Sequence, residues 1–184
     1  MDGPSGTGKS DLLAYVHGRR ADVELIQKAT TRHKRHYESA TTAFLDLRFV
    51  SQAAFADESF DYVYSYCGHE YGFHRAQLDA MLDRSRIVLG IVRSVSLIRQ
   101  LKCEYSSQSV VAVFVDSDPL KLSERMANQG RTTKQVKWRL RRMALAAEDF
   151  ARNPEVFDFV IRNNSDVVEY HRRIDDVLDQ ILGM

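Results

Sequence analysis

A chain of 184 residues with 44% hydrophobic side chains is long enough for one domain, or one domain with small lobes, around a full core. Its 26 basic and 25 acidic residues leave a net charge of +1, which gives no global electrostatic case for nucleic acid or a membrane surface. No apolar run reaches the roughly 18 residues of a membrane span, and the start of the chain does not read as a signal peptide. Cys67 and Cys103 lack metal-ligand or redox spacing, so reduced thiols and a cytoplasmic setting are expected. His33 and His36 sit among Arg32, Lys34 and Arg35, which repel a cation, so no histidine metal site is expected there.

The first ten residues carry Gly3-Pro4-Ser5-Gly6-Thr7-Gly8-Lys9-Ser10, which fits the phosphate-binding P-loop. Gly3, Gly6 and Gly8 allow a tight turn whose amides point inward. A helix from Lys9 to about Gly18 adds its positive dipole end. Lys9 is expected to reach the β- and γ-phosphates of ATP, and the Ser10 hydroxyl to ligate Mg²⁺. A P-loop ordinarily follows a buried strand. Only Met1 and Asp2 precede Gly3, so the first core strand is expected to be missing and the cradle loosely held.

Val23 to Lys28 reads as a short strand, and strand–helix alternation from here favours a parallel sheet. Thr30-Thr31-Arg32-His33-Lys34-Arg35-His36-Tyr37-Glu38 then places four basic side chains within nine residues. On its own this is a solvated basic loop. Beside a P-loop it also reads as a second anion site, because a phosphotransferase must hold its acceptor and arginine forks suit a phosphate monoester.

The P-loop followed by Thr30-Thr31-Arg32-x-x-Arg35-x-x-Glu38 resembles the guanylate kinase family. The resemblance implies a single P-loop kinase domain of α/β class over residues 1–184. A parallel sheet flanked by helices forms the core (1–29, 75–128 and 152–184), with a small antiparallel acceptor-binding lobe (30–74) and a helical lid (129–151). It implies that Arg32 and Arg35 hold the acceptor phosphate and that Glu38 closes the same motif. Phe44–Val50 and Phe60–Tyr66 alternate as half-exposed strands of that lobe, with Tyr62, Tyr64 and Tyr66 on one face. Gly68-His69-Glu70-Tyr71-Gly72 is similar to the family's Tyr-Gly motif, so Tyr71 is expected to bond the acceptor phosphate.

Arg75–Arg84 has helical spacing, Ile87–Val92 reads as a strand buried on both faces, and Ser94–Lys102 as helix. Val110–Val115 is a second buried strand, followed by Asp118 as N-cap and Pro119 at the first helical position. By resemblance Arg125 leads toward the lid, and Arg139 is its best-matching arginine. Arg131 stands two residues after Gln129, where an arginine often precedes the glycine. The basic residues of the helix reaching about Ala151 otherwise read as a solvated face. Phe157–Asn163 looks like the family's last strand, which places Asn163 near the adenine. Ser165 or Asp166 caps a C-terminal helix whose apolar residues, from Val167 to Leu182, read as core.

Guanine presents N–H donors and needs buried acceptors. By alignment to the family's motifs, Tyr62 and Val92 fall where carboxylates normally read the base; Asp61 and Glu70 are the available substitutes. The expected activity is ATP- and Mg²⁺-dependent transfer to a nucleoside monophosphate, GMP first, by a monomer or dimer. Two alternatives stay open: a sugar-phosphate kinase resembling ribose bisphosphate kinases, and a non-catalytic phosphopeptide-binding module.

Overall fold

The computed structural model describes residues 1–4, 6–34, 46–128 and 132–183. They divide into two compact units, Ser10–Leu97 and Met1–Lys9 with Ile98–Met184.

Helix α1 (Lys9–Arg19) follows the glycine-rich turn, with Leu12, Leu13 and Val16 as its buried stripe. The stretch expected as one strand from Val23 to Lys28 divides. β1 (Val23–Leu25) pairs in parallel with Ile87–Leu89, and the Ile26 N–H still bonds the Leu89 carbonyl. At Lys28 the chain changes sheets, because the Lys28 N–H turns to the Asp46 carbonyl and its ammonium makes a buried ion pair with the Asp46 carboxylate at 2.9 Å. β2 (Lys28–Thr30) is therefore one of the two inner strands of a separate sheet.

That sheet has the order β3-β2-β5-β4. β3 (Leu47–Phe49) runs parallel to β2. Ser51 caps the short α2 (Gln52–Asp57) by accepting from the Ala54 N–H, and Phe55 is its buried residue. β4 (Tyr62–Tyr66) and β5 (His69–Phe73) form an antiparallel hairpin, and β5 pairs antiparallel with β2. The hairpin loop is Cys67-Gly68, both at positive φ (56° and 77°), as a two-residue type I′ turn requires. Helix α3 (Arg75–Leu82) starts where the Arg75 N–H donates to the Asp61 carboxylate. β6 (Ile87–Leu89) is half-buried along its length; the fully buried residue of the expected strand is Val92, beyond its end.

After α4 (Val95–Tyr105), β7 (Val113–Asp116) and β8 (Phe159–Arg162) form the parallel pair of the other unit. Phe114 packs against Phe150 and Phe157 at centroid distances of 4.3 and 5.2 Å. Helix α5 (Pro119–Asn128) has the expected start: the Asp118 carboxylate accepts from the Leu120 N–H at 2.7 Å. Leu122 and Met126 of α5 bury against Met143 of α6 (Thr133–Arg152), with Val136 and Leu140 alongside. Helix α7 (Val167–Gly183) is capped by Asp166, which accepts from the Glu169 N–H. Its core is narrower than expected: Tyr170 and Ile174 are buried, whereas Val167 and Val168 are 57% and 75% exposed. Those two lie in the first turn, ahead of the stripe that meets the strands.

Asp2 makes a one-residue parallel bridge to Phe114: its N–H bonds the Val113 carbonyl and its carbonyl accepts from Val115, both at 2.9 Å. The chain thus enters the glycine-rich turn from a position in register with β7.

Candidate active site

The glycine-rich turn is fixed from two sides. Gly3 has φ +135°, and a Cβ there would lie 2.1 Å from the Val115 carbonyl oxygen, so only glycine permits this approach to β7. Gly8 has φ +101°, and a Cβ there would meet the Asn163 amide nitrogen at 2.5 Å and the Tyr170 ring at 3.0 Å. Those two side chains are also its hydrogen-bond braces. Asn163 Nδ2 donates to the Thr7 carbonyl at 2.9 Å, and the Tyr170 hydroxyl donates to the Gly8 carbonyl at 3.1 Å. Thr7 is fully buried and donates to the Pro4 carbonyl at 3.0 Å. The loosely held cradle expected from the sequence is thus pinned at Asp2, Gly3, Thr7 and Gly8.

The Lys9 ammonium curls back onto the turn, donating to the Gly3 carbonyl at 2.6 Å and to the Pro4 carbonyl. Lys9 is 8% exposed, so its charge is held at the loop rather than in solvent. Gly6 is exposed with φ +93°, and Ser10 is half-buried in the first turn of α1. Ser5 lies outside the described residues, as do Arg35, Glu38 and Arg131; the side chains of Arg125 and Arg139 do as well, although their helices are described.

The other unit holds the acceptor segment. Thr30 is paired with Tyr71 across β2 and β5, and Tyr71 with Tyr64 across β5 and β4. Directly paired residues share a face. The Tyr64 and Tyr71 rings stack at 5.0 Å and 8°, and the Tyr71 hydroxyl makes no hydrogen bond among the described residues. The Thr30 hydroxyl accepts from the Arg32 N–H, and the Arg32 guanidinium lies 5.2 Å from the centre of the Phe49 ring. Phe49 is the β3 partner of Thr30, so Thr30, Phe49 and Tyr71 share one face of the sheet, on which Thr30 and Tyr71 are buried and Arg32 lies against Phe49.

The two carboxylates offered as base readers are engaged elsewhere. Glu70 alternates with Tyr71 along β5 and so faces away from the stacked tyrosines, while Asp61 precedes β4. Asp61 starts α3, and Glu70 accepts from the Ser65 hydroxyl at 2.8 Å on the exposed face. Tyr62 is fully buried against Phe73, and Val92 is buried.

Three features escaped the sequence. Tyr170 bears no motif and is visible only through its bond to Gly8. The Lys28–Asp46 pair spans an 18-residue separation. Arg93 meets Tyr66, its Nη2 donating to the hydroxyl at 2.7 Å with the guanidinium carbon 4.1 Å from the ring centre.

The guanylate kinase family model matches residues 1–181 of this sequence. The chain belongs to the guanylate kinase family. It is 29% identical over 169 residues to the guanylate kinase of Thermosynechococcus vestitus, covering 89% of this chain and 84% of that protein. It is 27% identical over 168 residues to the guanylate kinase of Prochlorococcus marinus subsp. pastoris, covering 89% and 87%. The crystal structure of guanylate kinase from Anaplasma phagocytophilum shares the fold, with a TM-score of 0.65 and 21% identity over 97% of this chain and 82% of that one. As a guanylate kinase family member the chain is a nucleotide kinase, an ATP-binding transferase. No helix among its described residues is long and apolar enough to cross a membrane.

Proposed function

We propose that this chain transfers the γ-phosphoryl group of ATP to the phosphate of GMP. The observation that carries the reading is the glycine-rich turn, complete at Lys9 and Ser10 and braced by Asn163 and Tyr170. Phosphoryl transfer asks a protein mainly for positioning and charge neutralisation. The turn and the dipole of α1 offer N–H groups to the triphosphate, and Lys9 exchanges its loop carbonyls for phosphate oxygens. Arg32, Arg35 and the Tyr71 hydroxyl hold the acceptor phosphate, with Glu38 closing that segment. Arg125, Arg131 and Arg139 supply the lid charges. The acceptor oxygen bonds to the γ-phosphorus as the bond to the bridging oxygen breaks, and ADP leaves. No side chain needs to act as nucleophile.

Magnesium neutralises the β- and γ-oxygens when bound with the nucleotide. Ser10 fits it, since a hydroxyl in the first turn of the helix after the lysine offers one hard oxygen ligand. Among the described residues no group of three His, Cys, Asp or Glu is arranged to hold a metal.

One observation favours a second reading. Among the described residues the face bearing Tyr71 and Arg32 shows no carboxylate in guanine-reading position, so an acceptor without a guanine edge, such as a sugar phosphate, is the competing substrate. A panel of GMP, other nucleoside monophosphates and ribose phosphates, with ATP and Mg²⁺ and ADP release as readout, decides between them. Acceptor-dependent ADP with GMP supports the proposal. ADP only with sugar phosphates refutes it, and so does ADP release independent of any acceptor.

A further inference from the structure

Strand β8 has one side unpaired. β7 lies along its other side, and Asp2 bridges the far side of β7, so β8 ends that sheet among the described residues. The Phe159 and Asn163 N–H groups turn inward, to the Ala112 and Asp116 carbonyls. By alternation the N–H and C=O groups of Val160 and Arg162 turn outward. Arg173 donates to the Arg162 carbonyl at 3.0 Å from that side, and both backbone groups of Val160 stay unclaimed among the described residues. The Val160 side chain is 44% exposed and lies in an open groove of about 490 Å³, with Phe150 of α6 and Val177 of α7 in its lining. An open strand edge with an apolar centre is a template for another strand.

Charge decides which strand fits. Arg162 is exposed, and its guanidinium has no partner among the described residues. Asp158 bonds Lys102 at 2.7 Å and the Ala112 N–H, yet its side chain keeps 33% exposure. A second copy of β8 can add antiparallel in three registers that bring outward groups face to face. Pairing Arg162 with itself opposes like charges, and pairing it with Val160 gives it no counter-charge. Pairing Val160 with itself sets Arg162 of each copy opposite Asp158 of the other. We propose that β8 is the interface of a two-fold dimer of this chain, paired antiparallel about Val160, so that β7 and β8 of both copies make one four-stranded sheet. The contact is isologous and consumes the open edge, so it closes at two copies. Its centre is one short strand per copy, which makes it a small interface with a dissociation constant on the order of 10 μM or weaker.

Sedimentation velocity of the full chain from about 1 to 500 μM reads the mass, which is expected to pass from one chain toward two. Val160→Pro removes an N–H that points away from β7, which an edge strand tolerates. Arg162→Glu sets carboxylate against carboxylate at an exposed position and leaves the fold alone. Each is expected to raise the dissociation constant at least about 10-fold, and circular dichroism checks the fold; if Val160→Pro does not fold, Arg162→Glu decides. Cross-linking reads the register. With the free, exposed Cys67 and Cys103 replaced by Ser, Val160→Cys is expected to give a disulfide-linked dimer on oxidation, because hydrogen-bonded partners stand about 5.5 Å apart at Cα. Arg162→Cys is expected to give none, because the two copies of that position lie four residues apart along the pair, roughly 13 Å. A chain that stays monomeric throughout, a dimer indifferent to Arg162→Glu, or cross-linking by Arg162→Cys in place of Val160→Cys overturns the proposal.

Discussion

Replacing Asn163 by Ala tests how the phosphate-binding turn is held. Asn163 is 7% exposed, and its amide donates to the Thr7 carbonyl at 2.9 Å, in the middle of the turn. Removing the donor strands a buried carbonyl, which costs about 1–3 kcal/mol. If the whole cost falls on the turn, then at about 1.4 kcal/mol per tenfold the ATP dissociation constant rises roughly 5- to 150-fold. Tyr170→Phe removes the neighbouring bond to the Gly8 carbonyl, which is partly buried, and is expected to cost about 0.5–1.5 kcal/mol. The two braces act on successive carbonyls, so the double variant should fall short of the sum. Calorimetric titration with ATP, alongside a urea melt to separate the share lost from global stability, measures both. A different role for Asn163, at the adenine, gives the opposite pattern: little change in affinity for a bare triphosphate and a changed ratio between ATP and GTP as donors. That pattern would refute the bracing argument.

Arg32→Ala should raise the acceptor KM or lower kcat while leaving ATP binding nearly intact, as steady-state kinetics at fixed acceptor and fixed ATP will register. Asp46→Ala leaves the Lys28 ammonium unpaired at 1% exposure and should destabilise the protein by about 3–5 kcal/mol in a urea melt, whereas Lys28→Met with Asp46→Leu should recover most of that loss. Hydrogen bonds from Arg84 first, then Ser85, hold the Glu24 carboxyl down to about 2 from its ordinary 4.5. The unfolded chain therefore takes up this proton first on acidification: the stabilisation is complete above about pH 4.5 and is lost as pH falls toward 2. Glu24→Gln should flatten the melting temperature across that window; an unchanged pH slope would show the ion pair to be inert.

Local signals were the legible ones. The P-loop, the Asp118–Pro119 helix start and the amphipathic stripe of α1 each depend on residues within one or two turns, and each stands where the sequence places it. What the sequence could not show depends on partners far along the chain. The single strand expected from Val23 to Lys28 divides because Lys28 finds Asp46, and alternation alone cannot announce a change of sheet. The anchoring of the glycine-rich turn comes from Asn163 and Tyr170, more than 150 residues away. Asp61 and Glu70 are the right residue type for reading guanine, but alternation along β5 turns Glu70 to the face opposite Tyr71, and Asp61 is taken up at the start of α3. Val167 and Val168 read as core by composition, yet they precede the buried stripe of α7.

The central claim is direct transfer from ATP to a nucleoside monophosphate on the Lys9 loop. ATP labelled in its γ-phosphoryl group, incubated with GMP and Mg²⁺, should give labelled GDP and ADP in equal amounts. Lys9→Ala should abolish both while remaining folded by circular dichroism. Label recovered as inorganic phosphate, with ADP formed at the same rate whether or not GMP is present, would contradict the account.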